Sequence, residues 1–566
     1  MDNIIIVDCY STGKNFINDI VRRNYNPIVL EVKLDRMSEK HAKTESKAYK
    51  AIYESIDEDF DLIYEQDTFE ETLEMVKKLN PILILPGSEE GVVLATKLSN
   101  ELGLICNPIE SLDAMTLKDE MQNALQRAGI RYIKGKTVNS LEEAVKFYKY
   151  SGLKEVVVKP LHNSGSVGVT ICSNEEELCQ AIESTLGFEG FFGEIINEVV
   201  IQERIKGEEY IVNTVSHKGV HRVTTIWKYY KKQTTEGNYI YDYMDSVNEL
   251  DISHAEMVEY AYNVADAIGI KYGPVHGEYM IDEKGPVLIE VNCRPCGGNM
   301  DAEFLDKLSG QHETDSTLDS YLNPERFNYE RMKKYKLQSY GGIKFFIIPK
   351  DIFPQSIPVK HIGKQLKSHY KTAPIDLTDG PHLLEKTKDL ETAGGIIYLN
   401  HEDYHTLQKD LNYLRSVESL AFSQVISDGS DKKTTKEDSY NPDSITDLLT
   451  KNTIKGTTLL ITDEIIDNPH IVQCKLNNLD EVCDNFENVF LNLDESILNI
   501  KDSQTTSLIL NIKDKIKVGG IIFIPEKTYQ YIAGGRNGME ALVKALNLRI
   551  EVPPYGINDI IIATRT

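Results

Sequence analysis

The 566-residue chain is short of cysteine, of positive charge and of long apolar runs, and each shortage removes a class of protein. No stretch approaches the roughly 20 apolar residues that a bilayer span needs, and Met1-Asp2-Asn3 lacks the basic residues that open a secretion signal. A cytoplasmic protein is expected. The eight cysteines, spread from Cys9 to Cys483, are too sparse for a disulfide scaffold. Cys293 and Cys296 have CxxC spacing, but no second pair is available to complete a zinc ribbon and no helix-opening context suggests redox work. With 62 basic against 88 acidic residues the net charge is −26, which opposes binding driven by phosphate-backbone neutralisation, so neither nucleic acid nor an anionic membrane is an expected partner. A phosphate loop of the Walker type is missing too: before Gly13-Lys14, position 8 is Asp rather than Gly, and after them position 15 is Asn rather than Ser or Thr. No internal repeat stands out.

What is present is an ordinary globular composition, 41% hydrophobic and 27% charged, on a chain long enough for several cores. The rhythm of the first part is α/β: Ile4 to Val7 is a short apolar run, Lys14 to Arg23 is helix-like, Pro27 to Val32 is a second run, and Ile82 to Leu85 precedes a turn and a helix from Glu90 to Leu102. This predicts a Rossmann-like domain over 1–105. Leu112, Met115, Leu117, Met121 and Leu125 have helical spacing within Ser111 to Ala128. The stretch 427–444, rich in Ser, Asp and Lys and without periodicity, reads as a linker. Beyond it, Thr458 to Thr462, Asn488 to Leu491, Leu508 to Ile512, Gly519 to Ile524 and Asn558 to Thr564 predict strands of a further α/β domain over 445–566.

Between these lie residues that carry chemistry. An apolar strand, Val156-Val157-Val158, delivers Lys159, and His162-Asn163-Ser164-Gly165-Ser166-Val167-Gly168 follows, a turn small enough for its backbone to approach a phosphate chain. An ordinary hairpin turn is the alternative. Val199 to Gln202-Glu203 and Gly207-Glu208-Glu209 make a strand edge with a nearby carboxylate, suited to a purine and its ribose. Glu278 lies among apolar residues in Gly273 to Ile281, and Glu290, Asn292 and Arg294 fall on one face of the strand from Pro286 by their period of two. Burying such groups unpaired costs several kcal/mol, so a cation or an internal ion pair must meet them. Two carboxylates and an amide are hard oxygen ligands that suit Mg²⁺. Lys118 alone would read as a solvated helix residue. The Tyr- and Lys-rich stretch from Trp227 to Asp245 could be read as a base-stacking surface, which the net charge disfavours; a strand pair over a cleft is the expected form.

In this order, Lys118, Lys159 with its Gly-Ser loop, Gln202-Glu203 with Glu209, Glu278, and Glu290-Val291-Asn292 resemble the ATP-grasp ligases. Pro86-Gly87-Ser88-Glu89-Glu90-Gly91, Gly273-Pro274-Val275-His276-Gly277-Glu278 and Gly297-Gly298 look most like the L-amino acid ligases, which are carboxylate–amine ligases. The resemblance spans about residues 1 to 425. It implies a pre-ATP-grasp domain (1–105), a small lid lobe (106–205) and a large lobe (206–426), α+β in the two lobes. It further implies that Lys118 and Lys159 bind phosphates, that the loop with His162, Ser164, Gly165, Ser166 and Gly168 covers the γ-phosphate, that Gln202, Glu203 and Ile205 hold adenine, and that Glu209 holds ribose. Glu278, Glu290 and Asn292 would ligate Mg²⁺, or Mn²⁺ in its place. Arg294 and His276 would be the catalytic pair, facing the transferred phosphoryl group and the acyl substrate, and Glu89 would take a substrate ammonium. The activity implied is ATP-dependent joining of an amino acid carboxylate to an amine, in a protein that forms homodimers.

Two other readings stay open, an ATP-grasp ligase for a non-amino-acid carboxylate or carbonate, and a nucleotide-binding regulator without catalysis. Cys293 and Pro295 depart from the small or apolar residues expected there and leave the acyl substrate undefined. The last domain faintly resembles the second half of a class I methyltransferase, but Leu459 to Thr462 runs into Asp463-Glu464 where that fold needs a glycine-rich turn.

Overall fold

The computed structural model describes residues 1–33, 49–161, 168–188, 195–234, 239–247, 252–331, 334–351, 362–363, 366–373, 384–390 and 392–421, and beyond these the backbone of six strands. It divides into two compact units, Met1–Gly342 with Asp389–Glu391, and Ile343–Lys388 with Thr392–Thr566.

The first unit opens with a parallel sheet of β1 (Asn3–Val7), β2 (Asn26–Glu31), β3 (Asp61–Tyr64) and β4 (Pro81–Pro86) in the order β3-β2-β1-β4. Strand alternation splits its apolar residues between two faces: Ile4 and Ile6 pack on Phe16, Ile17 and Ile20, while Ile5 and Val7 pack with Val76, Leu94 and Leu98. Glycine is required where the turns after β1 and β4 meet, because a Cβ on Gly13 would lie 2.1 Å from the Gly87 carbonyl oxygen.

The helix predicted across Ser111 to Ala128 is two helices, Leu112–Thr116 and Lys118–Arg127, with Leu117 extended between them (φ −101°, ψ 123°). The break makes Lys118 the first residue of the second helix and turns it inward; it is buried rather than solvated. The small lobe follows as an antiparallel sheet of β5 (Gly135–Val138), β6 (Val156–Pro160), β7 (Thr170–Cys172) and β8 (Val199–Glu203), ordered β5-β8-β6-β7. Val156, Val158, Val199 and Ile201 pack with Ala144 and Leu178 of two helices. Val157 and Lys159 therefore fall on the other face.

In the large lobe β9 (Glu208–His217), β10 (Val220–Gln233), β11 (Tyr239–Ser246), β12 (Gly273–Asp282) and β13 (Gly285–Asn292) run antiparallel in the order β13-β12-β9-β10-β11. One face, with Tyr210, Val212, Ile226, Val275, Tyr279 and Val291, forms a core with Met257, Ala261 and Val264 of the helix Ile252–Ile268. The alternate residues of these strands face the other way, among them Glu209, Asn213, His276, Glu278, Glu290 and Asn292 beside apolar Ile211 and Trp227.

In the second unit, which opens inside β14 (Tyr340–Phe345), that strand, β15 (His369–Ala373) and β16 (Ile396–His401) are ordered β14-β16-β15. Its last strands, β17 (Thr458–Thr462), β18 (Ile471–Cys474), β19 (Phe486–Asn492), β20 (Ile516–Pro525), β21 (Leu548–Glu551) and β22 (Ile560–Arg565), form a sheet in the order β18-β17-β19-β20-β22-β21. The neighbours from β18 to β20 are parallel, and β22 is antiparallel to both β20 and β21. The linker 427–444 and the strand expected over Leu508 to Ile512 lie outside the described residues. Among the described residues no helix is long and apolar enough to cross a membrane.

Candidate active site

The site begins with the β12–β13 hairpin, whose register places Glu278 opposite Glu290 and His276 opposite Asn292. Four side chains predicted to act together thus share one face of one hairpin, the face opposite the core. Lys118 comes to them from its helix, with Nζ 3.0 Å from Glu290 Oε2. Lys159 comes from β6. Burial works against charge on Glu290, but Lys118 and Lys159 outweigh it and hold its carboxyl down at about 2. Lys159 goes the other way: burial, with the like charge of Lys118, brings its ammonium down to about 8 against the pull of Glu290, Glu278 and Glu209. Lys118 is desolvated as well, yet Glu290 and Glu89 raise it above the usual lysine range. Lys118, Lys159, Glu209, Glu278 and Glu290 thus lie close enough for their charges to act on one another away from bulk water.

Arg294 follows β13 and reaches back to the first domain, where its Nη2 donates to Glu89 Oε2 at 3.1 Å. Asn292 stands beside both acids. The amide orientation that satisfies it gives its nitrogen to both Glu89 oxygens at 3.1 Å and turns Oδ1 toward Glu290. Glu89 sits in the turn after β4, which is tied to the end of β1: buried Asp8, at φ +63°, accepts from the Ser88 and Tyr49 hydroxyls, and Ser88 Oγ also lies 2.8 Å from Glu90 Oε2. His276 is buried, which lowers its basicity, and its Nδ1 donates to Asn213 Oδ1 at 2.8 Å because the Asn213 nitrogen is given to Thr225. The other ring nitrogen, Nε2, lies 3.5 Å from Glu278 Oε1.

Gln202 is buried on β8 opposite Val157, two residues before Lys159, and Glu203 ends that strand. The Glu203 and Arg204 amides are engaged by the Lys134 and Glu155 carbonyls, and Ile205 follows them. Of the cover loop, His162, Ser164, Gly165 and Ser166 lie outside the described residues, while Gly168 resumes the chain at φ +72°, left-handed backbone that glycine permits.

Sequence reasoning missed Lys231. It forms an ion pair with Glu209 at 2.7 Å and lies over the rings of Tyr241 (4.4 Å to the centroid) and Tyr229 (5.3 Å). The signal was the alternation Trp227, Tyr229, Lys231 within the segment read as a strand pair, which is the β10–β11 hairpin. Asn213 and Asp8 carried no signal, since each matters through a partner distant in sequence. Cys293 and Cys296 are buried free thiols.

Against known proteins, residues 153–303 match the ATP-grasp domain family. Over 343 residues the chain is 28% identical to dapdiamide A synthase of Enterobacter agglomerans, covering 59% of this chain and 79% of that relative. It is 26% identical over 264 residues to the carbamoyl phosphate synthase large chain of Clostridium beijerinckii, covering 45% of this chain and 24% of that one. Among solved structures, an L-amino acid ligase from Bacillus licheniformis superposes with a TM-score of 0.56 at 15% identity, over 73% of this chain and 97% of that one. Residues 153–303 thus carry the match to the ATP-grasp domain family, and the fold over most of the chain is like that of an L-amino acid ligase.

Proposed function

We propose that the protein is an ATP-dependent carboxylate–amine ligase that activates an amino acid carboxylate as an acyl phosphate and transfers the acyl group to an amine, releasing ADP and phosphate. The observation that carries this reading is the charge pattern of the pocket. Lys118, Lys159, Lys231 and Arg294 face Glu89, Glu209, Glu278 and Glu290, four cations against four carboxylates. The paired carboxylates of the β12–β13 hairpin suit a site that takes a divalent cation with the nucleotide, and Arg294 beside Glu89 adds a place for an amino acid's carboxylate and ammonium. The donor set fits: Glu278, Glu290 and Asn292 are hard oxygen donors. When bound there, Mg²⁺ would neutralise phosphate charge and polarise the phosphoryl group.

The chain's own residues do the rest by position and field. A carboxylate is a poor electrophile, and it must approach a phosphoryl group of like charge. Lys118 and Lys159 hold the phosphate chain, and Arg294 draws the acyl carboxylate to the transferred phosphoryl group and offsets the charge that develops. The acyl phosphate must be kept from water until the amine attacks, the task we give to the loop over 162–168. Gln202, Glu203 and Ile205 are assigned to adenine and Glu209 to ribose. We further propose that Glu89, partnered with Arg294, receives the substrate ammonium. The lobes at 106–205 and 206–426 and a cytoplasmic homodimer complete the reading.

The relatives support it. Dapdiamide A synthase and an L-amino acid ligase carry amide-forming names, and a stretch of 118 residues is 29% identical to a D-alanine–D-alanine ligase of Halalkalibacterium halodurans. The test is a screen of the twenty amino acids, singly and in pairs, for ADP release with mass spectrometry of the products. Amide products from a subset of pairs are expected, and ADP release indifferent to amino acids would remove the reading.

A further inference from the structure

The turn after β13, Cys293-Arg294-Pro295-Cys296-Gly297-Gly298, carries the guanidinium on which the proposed chemistry centres. Its far side is clasped by the first domain: Thr12 Oγ1 donates to the Gly297 carbonyl at 3.2 Å and accepts from Met300 N at 3.0 Å, Ser11 Oγ accepts from Asn299 N at 2.8 Å, and Asn15 Nδ2 donates to the Met300 carbonyl at 2.9 Å. All four bonds lie downstream of the arginine. Closer to the arginine, two residues on at Cys296, the turn is held differently. The Cys296 amide donates to Glu313 Oε2 at 2.5 Å, and Glu313 is the first residue of the helix Glu313–Leu322.

Glu313 is 2% exposed, and its second oxygen, Oε1, is sealed from water without a hydrogen-bond partner. A buried carboxylate with one oxygen unmet is costly, and fold stability alone would favour an apolar residue. An acid in a first helical turn is common, but the helix dipole does not aim it at an amide of another segment. The aim has a local consequence. Arg294 Nη1 donates to the Pro295 carbonyl at 3.0 Å, so the guanidinium is folded onto the same turn and moves with it.

We propose that Glu313 is a positioning residue for Arg294, accepting the Cys296 amide so that the turn holds the guanidinium toward Glu89 and the acyl substrate. The two are also in electrical contact: burial pushes the Glu313 carboxyl up to about 7, while the Cys296 bond and the Arg294 charge pull it down. The role depends on reach, not charge. Glu313→Gln keeps the acceptor oxygen at the same length, whereas Glu313→Asp keeps the charge and falls one methylene short.

This inference rests on the ligase reading for its kinetic arm only. Glu313→Asp is expected to lose about 10- to 100-fold in kcat/KM for the carboxylate substrate, with KM for ATP within about threefold of the parent, and Glu313→Gln to stay within about threefold in both. Hydrogen exchange over 293–298 should rise in the Asp variant and not in the Gln variant, whatever the activity. A merely structural glutamate would move melting temperature without separating kcat/KM for the carboxylate from KM for ATP, and that result overturns the proposal. So does a Gln variant as impaired as the Asp variant, since charge would then be what matters. If the parent itself forms no ADP with any amino acid, the ligase reading fails while the exchange comparison still decides whether Glu313 holds the turn.

Discussion

Glu290 is the residue on which the pocket's electrostatics converge, bonded to Lys118, in the field of Lys159 and across the hairpin from Glu278. Replacing it removes a charge that two buried ammonium groups balance, together with a hard ligand for the divalent cation. Glu290→Ala is expected to lower amino-acid-dependent ADP release by at least about a thousandfold, measured by coupled ADP detection, and near-parent activity would remove Glu290 from the metal ligands. Much of this was legible at the level of single residues because the polar groups interrupt apolar strands at a spacing of two. What was not legible had its meaning in a partner. Lys118 looked like a surface residue until the helix was seen to break at Leu117, and Glu313 lies in an acid-rich helix start that resembles many others. Asn213 is one more polar residue in a strand until His276 is placed beside it.

At the scale of elements, the strands were readable and their neighbours were not. Apolar runs such as Ile4 to Val7 are marked by burial on both faces, whereas what locks one helix to another is a set of contacts distant in sequence. The helix Asn15–Arg22 and the helix Glu313–Leu322 are joined by such a set. Asp19, His312 and Asp315 have metal-ligand spacing, but Asp315 is paired with Arg23 and Arg331, so the group is an ionic lock. His312 gives Nε2 to Asp19 at 2.9 Å and Nδ1 to Asp306 at 2.8 Å. Burial opposes its charge, yet the two carboxylates raise it from 6.5 to about 10. The sign follows from linkage: the folded state binds this proton more tightly than the unfolded one, so the stabilisation is fully present below about pH 6.5 and is lost as pH rises toward 10. Its size is on the order of a few kcal/mol. His312→Gln should therefore melt well below the parent at pH 6, with the gap closing steadily up to pH 10. A gap independent of pH would mean that His312 is not held as the imidazolium.

For the whole molecule the acidity acquires a sharper meaning. The net charge of −26 argued against polynucleotides, and it also bears on how the chain takes a nucleotide at all. One resolution would be a strongly basic pocket, but the cations of the pocket are matched by carboxylates, so the protein alone offers ATP no surplus of positive charge. The surplus has to arrive with the divalent cation, and chelation by EDTA is expected to abolish ADP formation. Salt should then act with an unusual sign. Contacts of about 3 Å inside the pocket lie well within the Debye length of about 8 Å at physiological ionic strength, so added salt leaves them nearly intact while screening the distant negative surface. A binder of polynucleotides loses on the order of a thousandfold in affinity as salt is raised fourfold, because it gives up released counterions. Here, with Mg²⁺ held in excess, raising monovalent salt from about 20 to about 200 mM should leave KM for ATP level or lower it by about twofold, since repulsion at long range is what the salt removes. Initial rates at several ATP concentrations measure this directly. A KM that climbs severalfold over that range would mean that ATP is drawn in by unbalanced basic residues, and the balance of four cations against four carboxylates would not describe the site ATP enters.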